Sequence, residues 1–60
     1  MKFKQWQLKN NSIVELIDGR KIKFIKMDGA YAHWDLEGRL KIGNYEEFEE
    51  TDFGYKVTKQ

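Results

Sequence analysis

The chain has 60 residues, 40% apolar and 35% charged, with one histidine and no cysteine. A domain this small buries only about 60% of its unfolded surface, and neither disulfides nor a thiolate or multi-histidine zinc site can reinforce it. Eleven basic and ten acidic side chains leave a net charge of +1, so no global basic field points to nucleic acid.

No apolar run reaches the ~20 residues of a bilayer span, and the first residues lack the apolar core of a signal peptide. Aromatic residues make up 15% of the chain, too many for a disordered tail. The expectation is one soluble, cytoplasmic domain over residues 1–60, with no membrane partner and no cofactor.

In chain order, residues 2–8 form a possible strand with Trp6 and Leu8 on one side. Asp18-Gly19, Asp28-Gly29 and Glu37-Gly38 follow at spacings of ten and nine, separated by β-branched and aromatic residues. Asp-Gly between such runs is a strong hairpin signal, so a four-stranded meander is predicted over 12–17, 21–26, 30–36 and 39–43. Next, Asn44-Tyr45-Glu46-Glu47-Phe48 reads as a short helical turn, with Asn44 as N-cap and early acids suiting its positive end. Residues 53–58 alternate Phe53, Tyr55 and Val57 against Gly54, Lys56 and Thr58, a last strand.

Turn length decides which side chains face inward, because a one-residue slip turns a strand over. Two-residue Asp-Gly loops would set Lys21 and Lys23 on one face with Val14, Leu16 and Trp34. Three-residue loops ending in a left-handed glycine place Val14, Leu16, Ile22, Phe24, Ala32, Trp34, Leu40 and Ile42 together. The opposite face then carries the rows Glu15–Lys21–Asp35–Arg39 and Ile13–Lys23–His33–Lys41. Burying unpaired lysines costs far more than any cross-strand pair returns, so three-residue loops are predicted at all three hairpins.

Five or six short strands with a helical turn before the last fit an all-β small barrel. The architecture resembles barrels of the Src-homology-3 type. The acidic-aromatic cluster and Pro-Asn-Tyr of the proline-peptide-binding members are missing, since Asn44-Tyr45 has no proline.

Catalysis is not expected. Apart from tyrosines, the hydroxyls are Ser12, Thr51 and Thr58, none in a nucleophile elbow. The five glycines are too dispersed to cradle a phosphate. The charge is lopsided: residues 1–43 carry nine basic and five acidic side chains, residues 44–60 two and five. The acids Glu46, Glu47, Glu49, Glu50 and Asp52 read first as a solvated turn and second as a polar contact surface. The candidate binding residues are Ile13, Lys23, Ile25, Tyr31, His33 and Lys41. They suit a non-catalytic module or inhibitor that engages a protein partner. The alternative is a nucleic-acid-binding barrel using Lys21, Lys23, Lys41, Tyr31 and His33.

Overall fold

The structure, a computed structural model, describes residues 1–60. It is all-β. The strands are β1 (Lys2–Phe3), β2 (Ile13–Glu15), β3 (Lys21–Asp28), β4 (Tyr31–Leu36), β5 (Arg39–Gly43), β6 (Glu47–Thr51) and β7 (Gly54–Lys59). They form one sheet in the order β1-β6-β7-β2-β3-β4-β5. All neighbours are antiparallel except β2 and β7, which run parallel. β1 and β5 are the two edges, and the sheet is not closed into a barrel.

The open sheet nevertheless curls on itself. Phe48 on β6 and Trp34 on β4 stand four strand spacings apart, about 19 Å in a flat sheet. Their rings stack with centroids 6.2 Å apart. The concave face thus covers itself, and its core gathers Leu8, Val14, Leu16, Ile22, Phe24, Ala32, Trp34, Phe48, Tyr55 and Val57.

The three hairpins use three different turns. Between β2 and β3 the loop is Ile17-Asp18-Gly19, with the Gly19 N–H donating to the Leu16 carbonyl at 2.9 Å and Gly19 at φ 93°. This is the predicted three-residue turn, and Val14 faces Ile22 as expected. Between β3 and β4 the loop is only Gly29-Ala30, closed by Asp28 opposite Tyr31. Gly29 has φ 62° at the first loop position, where a type II′ turn takes glycine. Unaided, that shorter loop would put Phe24 on the wrong face. A β-bulge at Ile25 restores it: the register runs Lys26↔His33, then Phe24↔Trp34.

Between β4 and β5 the loop is Glu37-Gly38, with φ 53° and 83°, a type I′ pattern. The Asp35 carboxylate accepts the Gly38 N–H at 2.9 Å and tightens it. No bulge follows here, so the expected register is displaced by one and β5 turns over. Lys41 lies opposite Trp34 on the concave side, while Leu40 and Ile42 lie opposite Asp35 and His33 on the convex side. The expectation that Leu40 and Ile42 are core residues is corrected: they are 76% and 65% exposed. An edge strand has no further neighbour on its concave side, so Arg39 and Lys41 reach water there without burial.

Two further expectations change. The segment after Asn44 is no helical turn; Glu47–Thr51 is the strand β6, with Phe48 fully buried. The Asn44 side chain instead joins segments, its Oδ1 accepting from Gln5 Nε2 at 2.9 Å and the Ala32 N–H at 3.2 Å. Gln5 Oε1 accepts the Tyr45 N–H at 3.1 Å, which satisfies this buried amide. The possible strand over 2–8 breaks after Phe3 into a 3-10 turn at Gln5–Gln7. That turn exposes Trp6 and buries Leu8.

Gly54 carries a strict requirement. It sits beside Ile13 in the parallel pair, and a Cβ there would run into the Ile13 carbonyl.

Candidate functional site

The convex face of the meander carries most of the sequence-predicted residues. One row across the ladder reads Ile13–Lys23–Asp35–Leu40, the next Lys26–His33–Ile42. Tyr31 closes the face beyond His33, opposite Asp28. Ile13 and Lys23 are neighbours as predicted, and Tyr31 and His33 lie on the same strand face. Ile25 is the half-buried bulge residue, and Lys26 occupies the ladder position beside His33 in its place.

Lys41 leaves this surface altogether. The row Ile13–Lys23–His33–Lys41 is corrected, because β5 is turned over and β3 is bulged. His33 therefore stands between Lys26 and Ile42 instead of between Lys23 and Lys41, and its Nε2 lies 3.3 Å from Asp28 Oδ2. Lys23 faces Asp35. Lys21 spreads over the Phe53 ring, with Nζ 4.7 Å from the centroid.

What fills the vacated position is apolar. Leu40 and Ile42 project side by side from β5, with Tyr31, 58% exposed, diagonal to Ile42. Around them the cations Lys23 and Lys26 alternate with Asp35 and Asp28. The result is an apolar strip at the sheet edge within a charge-balanced face. Sequence reasoning missed Leu40 and Ile42 as surface residues. No local signal separates Glu37-Gly38 from Asp18-Gly19, which has the same acidic-glycine pattern and closes a three-residue turn.

Three acids of the acidic segment, Glu46, Glu47 and Glu49, are paired with lysines. Lys2 on β1 reaches Glu49 at 2.6 Å and Glu47 at 3.6 Å, and Lys59 reaches Glu46 at 3.6 Å. The Lys2 ammonium holds the Glu49 carboxyl below the usual glutamate range. Glu47 is lowered chiefly by the Thr58 hydroxyl, which donates to it at 3.0 Å, with Lys2 assisting. Lys2 is raised in return, first by its bond to Glu49.

On the concave side, a small cleft lies between the β5 edge and the β2–β3 loop. Its floor is Leu16, Ile22, Trp34 and Tyr45, and its rim carries Arg20 and Lys41. Its volume of ≈ 90 Å³ is below the ~300–1,000 Å³ of small-molecule sites and suits a single side chain. Trp34 Nε1 donates to the Gly43 carbonyl at 2.8 Å and fixes the indole in this floor. No group of three or more His, Cys, Asp or Glu side chains is arranged to hold a metal ion. No helix is long and apolar enough to cross a membrane.

Comparison of the chain with protein-family models, with curated proteins and with solved structures found no match.

Proposed function

We propose that the protein is a non-catalytic binding module, or inhibitor, that engages a protein partner through the convex face of β4 and β5. The curled sheet is read as a small, open barrel of the Src-homology-3-like type. The observation that carries the functional reading is the pair Leu40 and Ile42, exposed together on an edge strand next to Tyr31. A small domain gains nothing for its own stability from two large aliphatic side chains held in water, and an interface centre is where such residues are useful. Ile13, Lys23, Ile25 and His33 extend the surface inward from that edge.

The nucleic-acid alternative has less support. Its cations are dispersed: Lys23 opposite Asp35, Lys21 over Phe53, and Lys41 on the other side of the sheet.

The test compares capture of partners by the native protein and by Leu40→Ser/Ile42→Ser. Both positions are exposed, so the variant should keep its unfolding free energy to within about 0.5 kcal/mol. A captured protein should be lost with the double variant and retained at high salt. Retained capture by the variant refutes the reading. Capture of nucleic acid that collapses as salt rises transfers the function to the alternative.

A further inference from the structure

We propose that the free edge of β5 accepts an extended, acidic peptide segment of the partner as an eighth strand. This rests on the reading of the chain as a protein-binding module and supplies the partner's chemistry.

The edge is built for pairing. In a two-residue hairpin the residues flanking the loop, here Leu36 and Arg39, exchange both backbone hydrogen bonds. Alternation then directs the N–H and C=O groups of Leu40 and Ile42 away from β4, towards open solvent. Main-chain addition to such an edge is a recurring mode of peptide recognition, with alternate side chains giving specificity.

The side chains beside that edge select the sign of the guest. Arg39 and Lys41 both stand on the concave side of β5, and neither takes part in any ion pair of the molecule. Across the cleft Arg20 gives its Nε to Asp18 at 2.7 Å. No carboxylate lines the cleft. A glutamate on the concave side of an added strand would lay its stem over Trp34 and Tyr45 and bring its carboxylate between Lys41 and Arg20. The residues alternating with it would fall beside Leu40 and Ile42, and so should be apolar.

A second copy of the chain fits poorly. Symmetric antiparallel pairing of β5 with itself sets Lys41 opposite Lys41 when centred on Lys41 and Arg39 opposite Lys41 when centred on Leu40; the register centred on Ile42 sets Lys41 opposite Gly43 and pairs only Lys41–Gly43 of the strand. Like charges directly opposite destabilise a ladder, whereas carboxylates there would be favourable. Cationic edge strands are also how sheets avoid pairing with their own kind.

The experiment uses the full chain and two end-blocked heptapeptides, Thr-Val-Glu-Val-Glu-Val-Thr and Thr-Val-Lys-Val-Lys-Val-Thr, followed by amide NMR and hydrogen exchange. The acidic peptide should slow exchange at the Leu40 and Ile42 amides at least about tenfold at saturation. It should also bind about tenfold more tightly than the lysine peptide, and Arg39→Glu/Lys41→Glu should reverse that preference. Absence of protection, equal binding of the two peptides, or an unreversed preference overturns the proposal. Protection that grows with protein concentration without peptide would assign the edge to a second copy and overturn it too. Loss of partner capture by Leu40→Ser/Ile42→Ser without peptide protection leaves the convex-face reading standing and removes this one. Peptide protection alongside undiminished capture does the reverse.

Discussion

Trp34 is the side chain on which the curled sheet closes, and replacing it tests the fold at its centre. The indole is 2% exposed and meets Phe24 at 5.2 Å, Tyr45 at 5.4 Å and Phe48 at 6.2 Å between ring centroids. Truncating a buried aromatic to alanine costs about 3–5 kcal/mol, and losing the Nε1 bond to Gly43 adds roughly 1 kcal/mol. A 60-residue domain has only about 3–9 kcal/mol of stability in all. Trp34→Ala should therefore be largely unfolded in water. Trp34→Phe keeps a ring in the stack and gives up the hydrogen bond and part of the volume, so about 1.5–2 kcal/mol is expected. With a urea dependence near 1 kcal/mol per molar, that lowers the midpoint by about 1.5–2 M. Far-UV circular dichroism in urea measures both, and the exposed Trp6 remains as a second reporter. A cooperative Trp34→Ala variant with a midpoint within about 0.5 M of the native protein would refute the packing described.

Gly54→Ala should destabilise by at least about 2 kcal/mol, because a Cβ meets the Ile13 carbonyl, whereas Gly19→Ala meets only open space and should cost about 1 kcal/mol of backbone strain; urea midpoints that rank the two oppositely would refute the β2–β7 approach. Deleting Ile25 removes the bulge but leaves Lys26 opposite His33 and Phe24 opposite Trp34, so the deletion variant should still unfold cooperatively, and loss of cooperative unfolding would refute the register described. The tie of β1 to β6 should be present at neutral pH and lost at both extremes. It fails as pH falls through the depressed values of Glu47 and Glu49, and again as pH rises through the raised value of Lys2. NMR titration should find Glu49 returning to the ordinary range in Lys2→Met; an unmoved Glu49 would show that Lys2 is not its partner.

The sequence carried the all-β class, the meander and six of its eight predicted core positions, and the reasons for the misses are local. Apolar alternation places Val14, Leu16, Ile22 and Phe24 inward whatever the turns do. At the second hairpin the shorter loop and the bulge at Ile25 compensate, so Phe24 and Trp34 still share a face although their register differs from the expected one. Nothing compensates after Glu37-Gly38, and the discrepancy emerges in Leu40 and Ile42. Burial preference misleads there because it presumes a covering layer that an edge strand lacks. Asn44 and the glutamates after it favour a helical reading by local propensity. Tertiary context overrides it: Phe48 completes the stack on Trp34, and Lys2 offsets Glu47 and Glu49. The same displacement moves Lys41 out of the candidate surface and brings in the two aliphatic residues on which the functional reading rests.

The parallel pairing of β2 with β7 bears on how the chain reaches this state. Every other strand contact within the meander, and that between β6 and β7, joins neighbours in sequence and can form within microseconds as a hairpin. Val14 must wait for Tyr55, forty-one positions later, before the two units join. Until then β2 offers an unpaired edge, and Phe24 and Trp34 lack the cover of Tyr55, Val57 and Phe48. Closing that long loop should set the folding rate, as non-local strand pairing generally does. During synthesis the core cannot be completed before β7 has been added.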